Sequence, residues 1–323
     1  ECLYQERNLG DKHIIRGEIF MKKRMFILLA MCLSMAMFFT ACGKNGKDSK
    51  KENKPNGTEV QGEKDTKEDT KTGTVDQNSK DVFRVGMEAG YPPFNWTQLD
   101  NSNDAVKIDG NAEYAGGYDV EIAKKLAEGL GKELVIVKTD WEGLVPALNS
   151  GKIDAILAGM SPTAKRKEVI DFSDSYYKSN LVMVVKKGGV YENATSIQDF
   201  KGAKITAQLN TFHYTVIDQI EGVKKQTAMD NFPAMRVALE SGIIDGYISE
   251  RPEGVSASTA NKKLVMVEFT DGFVTSDEDT AIAVGLVKGS ELTAKINEIL
   301  AGISEEERTQ IMDKAILDQP SAE

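Results

Sequence analysis

The sequence has few of the residues on which catalysis, metal binding and nucleic-acid binding usually depend. Its 323 residues include three cysteines and two histidines, and it contains no nucleophile elbow, no metal-ligand spacing and no phosphate-binding loop. We therefore predict no catalytic residue, no metal site and no cofactor. Positive charge is also scarce, since residues 81–323 hold 25 Lys and Arg against 38 Asp and Glu, a formal charge of −13. This acidic balance argues against nucleic acid as a partner.

Long hydrophobic runs are missing apart from one near the start of the chain. Residues 25–39 are almost entirely apolar and follow the basic group Lys22-Lys23-Arg24. This run is too short to span a membrane comfortably, and its basic flank is typical of a signal peptide. We predict a signal peptide over residues 21–41.

Cysteine 42 is the predicted point of membrane attachment. Phe39-Thr40-Ala41-Cys42 resembles the bacterial lipobox, in which the Cys receives diacylglycerol and becomes the mature N-terminus, although Phe39 stands where Leu is usual. The resemblance implies a lipoprotein on the extracytoplasmic face of the cell membrane. Cys2 and Cys32 would be removed with the signal peptide, which leaves no disulfide. An ordinary signal peptide cleaved elsewhere is the alternative.

The remaining N-terminal segments have no features of a folded domain. Residues 1–20 precede the plausible initiator Met21, and we interpret them as an untranslated leader. Residues 43–80 are mostly Lys, Asp, Glu, Thr, Asn and Gly, a composition that cannot bury enough apolar surface to offset the entropy of ordering. We predict that residues 42–80 are a lipidated Cys and a disordered tether, whose ends lie roughly 35 Å apart.

Two stretches of the folded part are nearly the same. Residues 147–155 (ALNSGKIDA) and 238–246 (ALESGIIDG) each suggest the end of a helix, a Gly in a left-handed cap and a short strand. Trp141 and Phe232 precede them at the same offset. The repeat predicts two similar α/β lobes, unless such units recur by chance. Ligands gather at the carboxyl ends of strands in α/β sheets, which places them near residues 158–166 and 249–251.

The alternation of predicted strands and helices gives the fold class. We expect a two-lobed α/β protein in which each lobe is a mainly parallel sheet flanked by helices. Lobe 1 is predicted to contain residues 81–178 and 282–323, and lobe 2 residues 181–277. Two strands then cross between the lobes and form a hinge. Within lobe 1, Asp119 is predicted to cap a helix that Gly131 ends.

Several ordered motifs carry a resemblance to a known family. The sequence is similar to the family 3 extracellular solute-binding proteins of polar amino-acid ABC transporters, in the motifs Tyr91-Pro92-Pro93-Phe94, Gly117-Tyr118-Asp119-Val120, 141–148 (WEGLVPAL), 158–161 (AGMS) and Arg166 through 171–177 (DFSDSYY). The resemblance implies a type II periplasmic-binding-protein-like fold. It also implies a monomer that closes over a free amino acid and delivers it to an ABC permease and its ATPase.

The predicted site begins with the group that holds the ligand's α-carboxylate. The Arg166 guanidinium offers a planar fork that matches both carboxylate oxygens. In the family the matching Arg has that role, beside residues that match Ser161, Gly159 and Ala158. Gln208, Thr211 and Phe212 lie at a predicted strand end opposite, where free backbone N–H groups favour an anion. Asn210 stands where the family usually has Gly.

The resemblance also assigns the α-ammonium and the ligand's side chain. Glu250 matches the acidic residue for the α-ammonium, usually Asp. Tyr91 and Trp141 match the aromatic pair that sandwiches the side chain, which suits an aliphatic stem or a cation. Glu88 matches an acidic position that meets a distal polar or cationic group. These residues favour arginine or lysine as the ligand, and glutamine is the next candidate. His213 lies near the same segment, but a lone His is more often structural.

Two other functions are compatible with the sequence. Dehydratases that act on cyclohexadienyl acids resemble this family, and Glu250 or His213 could supply the acid or base that such an enzyme needs. A ligand-sensing domain is a further alternative. Because the sequence contains no motif of catalysis, the predicted function is capture of an amino acid and not its conversion.

Overall fold

The computed structural model describes residues 81–320 of the chain. The predicted leader, the signal peptide, Cys42 and the tether lie outside the described residues. Among residues 81–320, none of the helices has the length and apolar character needed to cross a bilayer.

Strands and helices alternate along this region, as the sequence pattern predicts. The strands are β1 (Val82–Met87), β2 (Gly90–Tyr91), β3 (Asn95–Gln98), β4 (Val106–Lys107), β5 (Tyr114–Gly116), β6 (Glu133–Lys138), β7 (Ala155–Ile156), β8 (Asp171–Lys178), β9 (Leu181–Lys186), β10 (Lys204–Thr206), β11 (Lys224–Lys225), β12 (Gly246–Glu250), β13 (Leu264–Val267) and β14 (Ala281–Leu286). The helices are α1 (Tyr118–Leu130), α2 (Leu144–Asn149), α3 (Ala164–Lys167), α4 (Phe212–Val216), α5 (Phe232–Ser241), α6 (Arg251–Ala260), α7 (Leu292–Ala301) and α8 (Glu305–Asp318).

Two five-stranded sheets define the two lobes. The sheet of lobe 1 has the order β6-β1-β7-β14-β8, and that of lobe 2 has the order β11-β10-β12-β9-β13. All six residues of β1 are buried, which is typical of a strand covered on both faces. A smaller antiparallel sheet, β2-β3-β5-β4, belongs to lobe 1 and was not predicted, because its strands are too short to show a periodic pattern.

Each large sheet contains one reversed strand, so both sheets are mixed. In lobe 1, β14 is antiparallel to β7 and β8, and in lobe 2, β9 is antiparallel to β12 and β13. Each reversed strand is the first one that the chain forms after it crosses from the other lobe. Leu181, which begins β9, pairs with Glu250, which ends β12. The crossing strand therefore enters at the carboxyl edge of its new sheet and has to run against the parallel strands.

The two crossings lie side by side and form the expected two-strand hinge. Lys178, which ends β8, pairs with Ala281, which begins β14. The N–H of Ser179 donates to the carbonyl oxygen of Thr280 at 3.0 Å. This bond joins the outgoing and returning segments into one ribbon between the lobes.

The repeat is reproduced in detail at the helix ends. Gly151 and Gly242 have φ angles of +74° and +79°, in the left-handed region where a residue without Cβ is favoured. Lys152 N–H donates to Ala147 O and Ile243 N–H to Ala238 O, each at 3.0 Å. The repeated glycines therefore have the same structural function in both lobes.

The repeated aspartates tie each unit to the neighbouring strand. In lobe 1, Asp154 Oδ2 accepts from Arg84 N–H at 2.8 Å, while Asp154 N–H donates to Arg84 O at 2.8 Å. In lobe 2, Asp245 makes the same pair of bonds with Lys204, again at 2.8 Å each. The spacing between Gly and Asp is the same in both repeats because the Asp sets the register of the new strand against its neighbour.

We expect replacement of either aspartate by alanine to destabilise the protein by about 1–2 kcal/mol, since a strand N–H loses its acceptor. Asp154→Asn and Asp245→Asn are the matched controls, because an amide oxygen still accepts. Urea denaturation measures the difference in the free energy of unfolding between each variant and the wild type, provided that the dependence of that free energy on urea concentration is the same for both proteins. Equal losses in the Ala and Asn variants would mean that charge, and not the accepted hydrogen bond, is responsible.

Candidate functional site

A narrow pocket, with free space of about 10 Å³, lies where the carboxyl ends of strands from both lobes face each other. Ten of the eleven residues predicted to bind a ligand line it, together with two others. The lining residues are Tyr91, Trp141, Ala158, Gly159, Ser161, Arg166, Gln208, Thr211, Phe212, His213, Phe232 and Glu250. Glu88 lies beside this pocket, in an adjoining chamber.

Arg166 projects from α3, one turn of helix that Thr163 caps by accepting the Arg166 N–H at 3.4 Å. Its Nη1 donates to Ser161 O at 2.9 Å, and its Nη2 donates to Asn210 O of lobe 2 at 3.2 Å. The guanidinium also lies 5.0 Å from the centre of the Trp141 ring. Burial lowers the pKa of Arg166 to about 10, so it stays protonated at neutral pH.

The charge of Arg166 is not matched by a neighbour in the described region. Within residues 81–320, no carboxylate forms an ion pair with its guanidinium, and the contacts of the two nitrogens are with carbonyl oxygens. A half-buried cation without an anion costs free energy unless an anion is supplied. The site is therefore suited to an anionic group from outside the protein.

Tyr91 forms the centre of the aromatic wall. Its ring stacks on Phe232 of lobe 2, with centroids 4.2 Å apart and planes at 15°. Gly159, with φ of +60°, lies beneath it, and a Cβ there would come within 2.6 Å of Tyr91 Cε1. In this structure Tyr91 and Trp141 thus contact different partners, Phe232 and Arg166. Their sandwich around a ligand side chain stays a prediction.

Glu250 ends β12 and is buried among polar groups. The Tyr91 hydroxyl donates to its Oε2, and His213 Nε2 lies 2.9 Å from its Oε1. Burial raises the pKa of Glu250 to about 8, and the nearby Glu253 acts in the same direction. Burial and the charge of Arg166 lower the pKa of His213 to about 3. Both groups are consequently neutral at pH 7 in this state.

An acidic chamber of about 590 Å³, open to solvent, adjoins the pocket. Its lining includes the carboxylates of Glu88, Asp140, Glu142 and Asp230, and none of its nine lining residues is Lys, Arg or His. Gln208 Nε2 donates to Glu88 Oε2 at 3.0 Å. Burial raises the pKa of Glu88 to about 7, with further contributions from Asp140 and Asp230. Trp141 lines both the pocket and this acidic chamber.

Polar contacts join the two lobes across the site. Asn210 Nδ2 donates to Glu142 Oε1 at 2.5 Å, in addition to the Gln208–Glu88 and Tyr91–Glu250 bonds. Asn210 has φ of +57°, a conformation that Gly and Asn adopt most readily. The departure from the family's usual Gly therefore keeps the loop shape and adds a side chain that reaches the other lobe.

Sequence reasoning left out several residues that line the pocket or the acidic chamber: Phe232, Asp140, Glu142 and Asp230. It placed His213 near the pocket but favoured a structural role for it. The repeat contained part of the missing signal. Residues 139–141 and 230–232 are equivalent in the two units, and together they supply much of the lining of both cavities. The sequence gave no signal for the contact of His213 with Glu250, 37 positions further along the chain. Among residues 81–320, no group of His, Cys, Asp or Glu side chains could hold a metal ion.

The two hinged lobes, with a polar pocket between the carboxyl edges of their sheets, define a solute-binding protein of the type II periplasmic-binding-protein fold. The chain belongs to the bacterial extracellular solute-binding proteins, family 3, whose model matches residues 83–318. That match covers the whole of the pocket and the acidic chamber.

Similar proteins are named for amino-acid binding. The arginine-binding extracellular protein ArtP of Bacillus subtilis is 27% identical over 87% of this chain and 92% of its own length. A probable histidine-binding protein of Campylobacter jejuni is 30% identical over 60% of this chain and 70% of its own. A crystal structure of an amino-acid ABC transporter substrate-binding protein from Streptococcus pneumoniae bound to L-arginine has a TM-score of 0.64 and 27% identity, over 74% of this chain and 95% of that one.

Proposed function

We propose that this protein is the substrate-binding lipoprotein of an ABC importer and captures a polar L-amino acid. The cationic amino acids arginine and lysine are favoured as the ligand, and glutamine is the next candidate. The observation that carries the proposal is the charge arrangement of the site. An unpaired guanidinium lies at one end of the pocket, a buried carboxyl group lies opposite, and an acidic chamber adjoins them. The charged Arg166 and the ionisable Glu250 complement the carboxylate and the ammonium of an α-amino acid, and the acidic chamber complements a cationic side chain.

The α-carboxylate is assigned to Arg166. Charge-assisted hydrogen bonds to a carboxylate are shorter and stronger than neutral ones, and Arg166 has no competing anion among residues 81–320. Ser161 and Gly159 are proposed to contribute beside it, with the N-terminal end of α4 opposite. The α-ammonium is assigned to Glu250, which ionises when a cation approaches because the opposite charge favours the charged form.

The side chain is proposed to pass Trp141 into the acidic chamber. Four carboxylates without a basic residue in the lining create a negative potential that favours and attracts a cation. A neutral glutamine side chain would gain no such attraction. The arginine named for ArtP and bound in the streptococcal structure supports the same choice.

Capture is proposed to close the cleft. A ligand that touches Arg166 in lobe 1 and Glu250 in lobe 2 favours the closed state, because it binds that state better than the open one. The closed, monomeric protein would then dock on a permease, whose ATPase drives transport. The two-strand ribbon between the lobes supports this motion.

Calorimetry and thermal shift with the twenty protein amino acids test the function. We expect arginine and lysine to raise the melting temperature and to bind more than tenfold tighter than glutamine, since a ligand that binds the native state stabilises it. Failure of every amino acid to stabilise the protein would overturn the proposal. Prephenate and arogenate, the substrates of the alternative dehydratase, should stay unchanged after incubation with the protein. Their turnover would favour the enzyme, for which His213 and Glu250 could supply the acid or base.

Lipid attachment at Cys42 is proposed to hold the protein at the extracytoplasmic face of the membrane. We expect the Cys42→Ala variant to leave the membrane fraction of expressing bacteria, because acyl chains supply the anchoring free energy. Fractionation with and without detergent measures this. A variant that still needs detergent for release would place the anchor elsewhere.

A further inference from the structure

His213 is a buried polar side chain whose ring nitrogens are both unused. The residue is 5% exposed and lines the pocket. Neither Nδ1 nor Nε2 has a hydrogen-bond partner within residues 81–320. Nε2 lies 2.9 Å from Glu250 Oε1, but this contact lacks the alignment of a hydrogen bond. An unsatisfied buried polar group is costly in a native protein, so a partner from outside the chain is indicated.

The surroundings of the ring decide what kind of partner it can take. The charge of Arg166 disfavours a second cation on the imidazole. Glu250 Oε1 lies against Nε2, and Tyr91 donates to the other carboxyl oxygen, Oε2. Once an approaching cation ionises Glu250, Oε1 and Nε2 are two acceptors 2.9 Å apart, on two residues that line the pocket. A neutral imidazole accepts through its unprotonated nitrogen.

Two acceptors at this separation suit one nitrogen with several protons. An ammonium group has three N–H donors, and a nitrogen placed about 2.9 Å from both atoms satisfies both. A secondary amide or a hydroxyl has one donor and would leave one acceptor unpaired. The geometry therefore selects a primary ammonium at this end of the pocket.

We propose that His213 binds the ligand's α-ammonium jointly with Glu250, as a neutral acceptor that makes a free α-amino group a requirement of the site. This inference rests on the proposed function and extends it to a residue whose type and position suggested a structural role. Glu250 supplies the charge, and His213 supplies a second, directional acceptor that favours a primary ammonium over a neutral group of similar size.

The test is a cycle of two protein variants and two ligands. The ligands are arginine and 5-guanidinopentanoic acid, which is arginine without its α-amino group. We expect His213→Leu to weaken arginine binding by about 10- to 100-fold, the loss of one hydrogen bond to a charged group, while binding of the deaminated ligand changes less than threefold. His213→Gln, which keeps an acceptor oxygen, should stay within fivefold of the wild type for both ligands.

Each outcome bears on one claim. Equal losses for both ligands in His213→Leu would assign His213 a structural role and overturn the inference, as would no loss for arginine. If arginine and every other amino acid fail to bind the wild type, the proposed function itself fails. Should another amino acid prove to be the ligand, that amino acid and its deaminated form replace the pair.

A spectroscopic readout covers the case in which the Leu variant does not fold. The chain has two histidines, His13 and His213. His13 lies in the predicted leader, so in protein that begins at Cys42 every imidazole nitrogen resonance belongs to His213. We expect arginine, but not the deaminated ligand, to shift the Nε2 resonance while the ring stays neutral. If arginine binds but the Nε2 resonance does not move, the inference is overturned. This measurement needs no substitution of His213.

Discussion

Replacement of Arg166 by alanine is expected to abolish amino-acid binding while it leaves the fold intact. Two charge-assisted bonds from the guanidinium to the α-carboxylate contribute about 1.5–3 kcal/mol each. Their loss would weaken binding by about 100- to 10,000-fold. The stability of the empty protein should change little, because within residues 81–320 the guanidinium balances no carboxylate and contacts Ser161 O and Asn210 O.

Arg166→Lys is the matched control for charge. Lysine keeps the positive charge but lacks the planar fork, so we expect its affinity for arginine to lie between those of the wild type and Arg166→Ala. Isothermal calorimetry measures binding, and urea denaturation of the empty proteins measures stability. Affinity within tenfold of the wild type in Arg166→Ala would reject the assignment of the α-carboxylate to this residue.

The double variant Glu88→Gln, Asp230→Asn is expected to lose about 100-fold in affinity for arginine and lysine but less than threefold for glutamine. These two carboxylates line the acidic chamber, and each attraction to a cationic side chain is worth roughly 1–2 kcal/mol at a partly solvated site. A neutral side chain has no such interaction to lose. Glu306→Gln, the same chemical change on the exposed surface of α8, should leave both affinities unchanged.

The carboxyl group of Glu88 is expected to make the affinity for arginine depend on pH. The pKa of Glu88 is raised to about 7 in the empty site, whereas a bound guanidinium favours the ionised carboxylate and lowers that pKa. Binding of arginine therefore releases protons, and its affinity should rise as the pH increases from about 6 to 8. Glu250 adds to this slope for every amino acid, so Glu88→Gln should reduce the slope for arginine but not for glutamine. Equal slopes for arginine in wild type and variant would contradict the assignment of Glu88.

The repeat carried most of the fold prediction, because both copies follow the same local rules. A glycine in the left-handed region and an aspartate three residues later need no distant partner to be recognised. From them follow two similar lobes, a site between their carboxyl edges and the positions of Arg166 and Glu250. The reversed strands β9 and β14 could not be predicted in this way, because strand direction depends on the edge at which the chain enters the other sheet.

Asp119 illustrates the limit of local patterns. Its position suggested an N-cap, but Gly117 occupies the cap position and Asp119 lies buried inside α1. Its carboxylate accepts from Asn95 Nδ2 at 2.8 Å and from the Tyr176 hydroxyl at 2.7 Å, and the backbone N–H of Gly159 also donates to it. Tyr176 is 57 residues away along the chain. The partners that decide the role of this carboxylate are therefore absent from any sequence window, as was the case for His213.

The ribbon formed by residues 178–181 and 280–281 limits how the protein can move. Because these two antiparallel connections share a hydrogen bond, we expect them to bend more easily than they twist, so that one angle describes the proposed opening of the cleft. Under the proposed assignment, the α-carboxylate end and the acidic end of the site would separate together. The angle between the lobes would then report whether the site is occupied, and a partner protein could recognise that angle without contacting the amino acid.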